Sequence, residues 1–231
     1  MTMNNESFTD SQLEERIAYF GELITQERLS RVTEVLKQRT RHVSVVLEDI
    51  FQPHNASAVL RSCDGFGVQD VHIIENKNNF HLNKSIELGT SQWLTINRHR
   101  ESNTNNTVEA IKKLKSDGYR IIATSPHNND VNLEDLDVTK GKMALMFGTE
   151  LTGLSDTALD LADEYMKIPM YGFVESFNIS VSCAMTLHHI THALRTSEVD
   201  LSLSERERLE LLYDWIRNSI KRPELHDKHF A

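Results

Sequence analysis

Six short runs dominate the middle of this 231-residue chain: "HVSVVLED" (42–49), "DVHIIE" (70–75), "QWLTINRH" (92–99), "YRIIATS" (119–125), "KMALMFG" (142–148) and "EYMKIPM" (164–170). Most are apolar or β-branched along their length, with little alternation, so neither face of the sheet they form can be left to water. Helical patterns fall between most of them: one opening near Asn55, "TVEAIKKLKSDG" (107–118), "LSDTALDLAD" (154–163) and the long "SFNISVSCAMTLHHITHAL" (176–194). Gly118 reads as a helix stop and Ser155 as a helix N-cap. Short buried strands joined by helices predict an α/β fold, a parallel sheet with helices on both faces. Ligands of such sheets sit outside the carboxyl ends of the strands, which selects the segments after Asp49, Phe147 and Ile168.

The sheet-forming core spans 42–196, with a helical extension over 1–41 and a C-terminal helix within 197–231. In the first extension "SFTDSQLEERIAYFGELI" (7–24) reads as a helix with Ser11 and Glu14 as a capping box. "QERLSRVTEVLKQRT" (26–40) reads as a second, with Leu29, Val32 and Leu36 as its apolar stripe and Arg28, Arg31 and Arg39 in an adjoining sector. "SLSERERLELLYDWIRNSIK" (202–221) is the last helix, stopped before Pro223. The net charge of −9 argues against a polyanionic partner, but the charge is uneven. Residues 26–42 carry a local +3 and 217–229 a local +2, whereas 130–165 carry −7. Local patches, not the total, set where a polyanion docks. The acidic, polar start "MTMNNESFTDSQLEERIAYF" is unlike a signal peptide, and no run approaches the length of a membrane span. With Cys63 and Cys183 as the only cysteines, far apart in sequence, a disulfide framework is not expected and a reducing cytoplasm fits best.

No G-x-G-x-x-G follows the first strand and no G-x-x-x-x-G-K-[ST] occurs, which argues against dinucleotide oxidoreductases and P-loop enzymes. "DGFGV" (64–68) reads as a helix C-cap and turn. His188 and His192 share a helix face at i, i+4 but lack an HExxH glutamate or a third ligand nearby, so no metal site is expected. "NNDVNLEDLD" (128–137) lacks calcium-loop spacing and reads as a solvated loop. Three loops remain. In "EDIFQPHNASAVLRS" a helix starting about Asn55 buries Ala56, Val59, Leu60 and Cys63 on one stripe and turns Arg61 away from it. Arg61 is then either a solvated arginine beside Asp64 or the group that the helix exists to present. "LMFGTELTGLS" runs a strand into Gly148, Glu150 and Gly153, and "IPMYGFVESFNISVS" leads through Ser176 and Asn178 into a helix. Singly, each reads equally well as an ordinary turn or cap.

Taken in order, the three loops resemble the signature motifs of the SpoU family, ribose 2′-O-methyltransferases of the SPOUT class. "PHNASAVLRSCDGFGV" is similar to the first motif, "LMFGTELTGLS" to the second and "IPMYGFVESFNISVS" to the third. Phe177 stands where the family usually has leucine. The resemblance implies a deep trefoil knot at about 142–196, an exception to the rule against threaded chains. It further implies S-adenosyl-L-methionine held by groups around Gly148, Ile168, Met170 and Phe177, and a homodimer with the active site at the interface. The basic helix ahead of the core and the compact length point, within the family, to tRNA and guanosine 18 of its D-loop. Ribosomal RNA as substrate, or a non-catalytic knotted RNA-binding module, are the alternatives.

A ribose 2′-hydroxyl is a weak acid and must lose its proton as it attacks the activated methyl group, so in-line positioning and a base both contribute to the rate. The resemblance assigns Arg61 to this step. A guanidinium stays protonated to above about pH 12, so a charged Arg61 that binds phosphate and steadies the developing alkoxide is favoured over a neutral Arg61 acting as base. Asn55 is expected to orient Arg61 or the ribose, and Glu150 to hold Asn55 or Arg61 by a charge-assisted hydrogen bond. Ser176 and Asn178 are expected to shape the site from the knot side. Arg28, Arg31 and Arg39, with Arg217, Lys221 and Arg222, are the candidate RNA phosphate contacts, a kind of contact that sets affinity and salt dependence.

Overall fold

A computed structural model of the protein describes residues 8–125, 131–149 and 151–230. The chain divides into two compact units, one of residues 40–201 and one made of the segments on either side of it. The larger unit is built on a seven-stranded sheet in the order β3-β2-β1-β6-β4-β7-β5. Its strands are β1 (Thr40–Glu48), β2 (Val68–Ile74), β3 (Thr95–His99), β4 (Arg120–Thr124), β5 (Val131–Asn132), β6 (Met143–Phe147) and β7 (Glu164–Lys167). Every pairing between these strands is parallel. β1 lies near the centre, with Val45 opposite Val71 of β2 and Leu145 of β6.

Both faces of β1 are buried, as its unbroken apolar run requires. On one face Val43, Val45 and Leu47 join Ala56, Val59, Leu60 and Cys63 of α3 (Pro53–Phe66) and Cys183, Leu187 and Ile190 of α7 (Ile179–Arg195). On the other, Val46, Ala144 and Met146 meet Ala110, Ile111 and Leu114 of α5 (Asn106–Ser116) and Ala158 of α6 (Asp156–Leu161). The two cysteines, 120 residues apart in sequence, become neighbours between α3 and α7, where a contact with the Cys63 thiol and burial hold the Cys183 thiol well above its ordinary range. No helix among the described residues is long and apolar enough to cross a membrane.

Element boundaries differ from the sequence reading in several places, each for a local reason. The first helix, α1 (Asp10–Glu22), is capped by Thr9 in a reciprocal pair with Gln12; Ser11 is already inside the first turn. α3 begins at Pro53, so Asn55 sits in its first turn and does not cap it. A 3₁₀ turn over Thr90–Trp93 delays β3 to Thr95. β7 stops at Lys167, ahead of Pro169, which has no amide hydrogen for a ladder. Within the segment read as a solvated loop, Val131 and Asn132 pair with Met166 and Lys167, and Leu133 and Leu136 enter the core. Gly67 ends α3 in the left-handed region at φ 80°, as its place in "DGFGV" suggested.

The terminal segments, read from sequence as separate 1–41 and 197–231 regions, form one unit from Arg39 backward and Ser202 onward. It packs α1 and α2 (Gln26–Leu36) against α8 (Glu205–Asn218), with Leu13, Phe20, Leu36, Tyr213 and Trp215 buried. The Arg16 guanidinium lies 4.1 Å and 4.3 Å from the rings of Phe8 and Phe230.

A pair of histidines at one side of the sheet carries a pH dependence. His72 Nδ1 and His99 Nε2 are 3.0 Å apart, and the rings stack. Burial first, then the neighbouring His99 and Lys113, lower the pKa of His72 from 6.5 to about 3. Below pH 6.5 the unfolded chain therefore binds more protons than the folded one. Stability is complete above that value and falls as the pH drops toward 3, by about 1.4 kcal/mol per pH unit for one group. Urea midpoints measured at pH 7.5 and pH 5 should fall in the native protein and fall less in His72→Gln; equal drops would remove the pair as the cause.

Candidate active site

The carboxyl ends of the adjacent strands β6, β4 and β7 open into a cleft of about 390 Å³. Thr124 and Ser125 follow β4, Phe147 and Gly148 end β6, and Lys167 and Ile168 end β7. This is the edge at which a parallel sheet leaves its strand ends and loops to a ligand. Gly148, Ile168, Met170 and Phe177, the four positions expected to hold a cofactor, all line it, and so does Ser176.

The loop after β6 has a shape that its glycines permit. Thr149 and Gly153 exchange backbone N–H···O bonds, both of 3.0 Å, which closes the loop on itself. A Cβ on Gly148 would stand 2.1 Å from the carbonyl carbon and oxygen of Gly153 and 2.2 Å from the Leu154 nitrogen. Only a hydrogen fits there. Glu150 lies outside the described residues.

Asn178 caps α7 and also bonds to Asn55 of α3. As the N-cap of α7 its Oδ1 accepts from the Ser180 backbone N–H at 2.9 Å and the Ser180 hydroxyl at 2.6 Å. Its Nδ2 donates to Asn55 Oδ1 at 3.1 Å. The cap thus also joins the third motif to the first, through a side chain only 3% exposed in Asn55. Asn55 Nδ2 in turn faces Gln52 Oε1 at 3.4 Å.

Arg61 is exposed and does not line the cleft. It stands six residues beyond Asn55, about 9 Å along α3 and roughly a third of a turn around it. Among the described residues its hydrogen bond is from Nη1 to the Ile86 carbonyl at 3.2 Å, in the short helix α4 (Lys84–Glu87). The same segment is tied back to α3 by the Asn83 N–H, which donates to Ser57 Oγ at 2.9 Å.

The basic residues divide. Arg28 and Arg31 are exposed on α2, and Lys221 and Arg222 are exposed after α8. Arg39 is 3% exposed, with its guanidinium 5.1 Å from the Trp215 ring, and so belongs to the packing of the terminal unit. Arg217 is largely buried and bound to Asp227 at 2.6 Å, which raises its pKa further. To reach either of these two expected RNA contacts, a phosphate would have to displace packing at Arg39 or an ion pair at Arg217.

Sequence reasoning missed Glu175, Ser182 and Thr186, which also line the cleft. Asn178, Ser182 and Thr186 follow one another at four-residue intervals from the cap of α7 along the helix, a spacing that marks a single face. Thr186 Oγ1 is buried with no hydrogen-bond partner among the described residues. His188 and His192 stack in parallel, 6.5 Å apart, and no group of three or more metal-ligand side chains gathers among the described residues.

Residues 42–188 match the SpoU rRNA Methylase family. The chain is 45% identical to the tRNA (guanosine(18)-2′-O)-methyltransferase of Borreliella burgdorferi, across 92% of this chain and 94% of that protein. A solved structure described as A. aeolicus TrmH/SpoU tRNA modifying enzyme superposes with a TM-score of 0.76 at 29% identity, covering 85% of this chain and 98% of that one. The SpoU methyltransferase AviRb from Streptomyces viridochromogenes, solved in complex with the cofactor AdoMet, shares the fold at a TM-score of 0.58 and 21% identity, over 71% of this chain and 62% of that one.

Proposed function

The chain belongs to the SpoU rRNA Methylase family, and from that premise we propose that it methylates the ribose 2′-oxygen of guanosine 18 in tRNA, using S-adenosyl-L-methionine. The observation that carries the reading is the cleft over β6, β4 and β7, walled by the second and third motifs and tied by Asn178 to Asn55 of the first. The relatives' tRNA substrate favours tRNA over ribosomal RNA.

The residues present fit the cofactor. A cleft of about 390 Å³ is of the size that small-molecule sites commonly have. Ile168, Met170, Phe177 and Leu154 supply apolar wall for an adenosine, and Thr149 and Ser176 supply polar groups. The acidic Glu175 on the lining complements a cation, and the buried Thr186 hydroxyl is a polar group without a hydrogen-bond partner among the described residues. When bound, S-adenosyl-L-methionine supplies a methyl group already activated by its sulfonium. The chain's own residues then have to hold the ribose in line with that methyl and assist departure of the hydroxyl proton. Arg61 stabilises the developing oxyanion and the adjoining phosphate as a fixed cation, a role for which its planar fork is suited. Asn55 and Asn178 brace the helix that carries it, and Ser176 shapes the ribose side of the cleft. Glu150 is assigned to hold Asn55 or Arg61 by a charge-assisted hydrogen bond.

A homodimer completes the site. Arg61 of one chain does not line that chain's own cleft, so a second copy is the natural source of the missing cation. Val181 and Met185 lie exposed one turn apart on α7, and Tyr171 and Phe173 are almost fully exposed in the loop beside the cleft. Apolar surface of this kind marks an interaction face. Sedimentation equilibrium should give twice the chain mass; the mass of one chain would remove the dimer. Family membership also implies the knot across 142–196, and tRNA as substrate implies a cytoplasmic enzyme.

The test of the activity is transfer of labelled methyl from S-adenosyl-L-methionine to tRNA transcripts, with the product mapped at guanosine 18. Absence of methylation in tRNA with methylation of ribosomal RNA would move the substrate assignment, and absence in both would sink the activity. Arg28 and Arg31 of α2, with Lys221 and Arg222, are assigned to tRNA phosphates. Replacing Arg28 and Arg31 by alanine should weaken tRNA binding and lower the slope of log K against log salt by about 1–2. Filter binding at several salt concentrations checks this, and an unchanged slope would remove α2 from the footprint.

A further inference from the structure

Glu48, the last residue of β1, is 3% exposed and has neutral hydroxyl and amide donors as its hydrogen-bond partners. Oε1 accepts from the Thr107 hydroxyl at 2.5 Å and the Ser155 hydroxyl at 2.7 Å, and Oε2 accepts from the Ser155 backbone N–H at 2.8 Å. The hydroxyl protons are committed to Glu48. Ser155 Oγ uses its lone pair to accept from the Ala158 N–H, and Thr107 Oγ1 accepts from Asn76 Nδ2 at 2.8 Å. Both carboxyl oxygens therefore serve as acceptors, with three donors trained on them.

Burying such a group is unfavourable unless its geometry is well satisfied, and an apolar residue would pack this face of the sheet as readily. The position explains its presence. Ser155 is the first residue after the loop 148–154, and Gly148, Thr149, Leu151, Thr152, Gly153 and Leu154 all line the cleft. Thr149 and Gly153 are bonded to each other, and Gly148 leaves no room for a Cβ beside Gly153 and Leu154. Its entry is fixed by β6 in the sheet. Its exit is fixed where Glu48 grips both the main chain and the side chain of Ser155. A shift at Ser155 passes to Leu154 and Gly153 within two peptide units.

We propose that Glu48 is a positioning residue for the cofactor cleft, acting through Ser155 to hold the second-motif loop at the depth S-adenosyl-L-methionine requires. The proposal rests on the cofactor reading of the cleft given above. Calorimetric titration of the full-length protein with S-adenosyl-L-methionine tests it, alongside steady-state methylation of tRNA. Glu48→Ala should raise the cofactor Kd about tenfold or more, since Ser155 loses the acceptors for both its donors. Glu48→Gln keeps an acceptor for the hydroxyls and should fall between the two. At saturating cofactor, kcat should stay within about threefold, so that the loss appears in KM. Thr107→Val removes a donor on the side away from the loop, and should lower the melting temperature while leaving the cofactor Kd within about twofold. If Glu48→Ala melts earlier but binds the cofactor as the native protein does, the residue is structural only and the proposal is overturned. Should that variant fail to fold, an unchanged Kd in Glu48→Gln overturns it equally. A native protein that does not bind S-adenosyl-L-methionine overturns the cofactor reading itself, a result distinct from either.

Discussion

Arg61→Ala is expected to slow methyl transfer to tRNA by about 100-fold or more while leaving S-adenosyl-L-methionine binding within about twofold. The separation follows from position. Arg61 is outside the lining of the cleft, and its truncation removes no apolar contact from the α3 stripe of Ala56, Val59, Leu60 and Cys63. An exposed substitution of this sort changes stability by about 0.5 kcal/mol or less. In the proposed mechanism, what is lost is a cation at the reacting oxygen. Single-turnover transfer of labelled methyl with saturating enzyme measures the step directly, and a rate near that of the native protein would remove Arg61 from the chemistry. Arg61→Lys divides the two roles. Lysine keeps the charge without the fork and should recover part of the rate if charge is what matters. A native rate that rises about tenfold per pH unit and levels off only toward the arginine range would instead favour the neutral base.

Gly148→Ala should have the largest effect on cofactor binding of any single methyl group added to this protein. The new Cβ would meet the backbone of Gly153 at 2.1 Å and of Leu154 at 2.2 Å, and backbone atoms have no rotamer by which to move aside. Either the Thr149–Gly153 pair opens or the strand end withdraws, and both change the wall of the cleft. The expected result is loss of S-adenosyl-L-methionine binding by about 100-fold or more, with destabilisation of about 1–3 kcal/mol or beyond. Titration calorimetry and thermal melting read the two effects separately. Native affinity in this variant would show that the loop relaxes without cost and that its closed form is not what holds the ligand.

The sheet was legible in the sequence because its signals are local. Unbroken runs such as "VSVVLE" require burial on both faces, and helices between them require parallel strands. The cleft was legible to the same extent. Gly148 and Ile168 follow strands, and parallel strands deliver their carboxyl ends to one edge. Other features lay below the reach of pattern. The two-residue strand Val131–Asn132 is too short for any period to register, and exists because β7 offers it a partner. Arg39 looked like its neighbours Arg28 and Arg31 on a helical wheel, but the helix ends at Leu36 and the chain beyond it turns the arginine onto Trp215.

By itself, then, the order of residues determined the α/β class and the strand ends whose loops a parallel sheet leaves to a ligand. These follow from side-chain branching, periodicity and the conformational freedom of glycine, all of which act within a few residues. Only the tertiary structure decided which of those loops meet. Asn178 reaches Asn55 across 123 positions of sequence, and Ser155 reaches Glu48 across 107. Such contacts depend on the order β1-β6-β4-β7, in which strands distant along the chain become neighbours. Tertiary structure also left Arg61 outside the lining of its own chain's cleft, with its guanidinium bound to the Ile86 carbonyl.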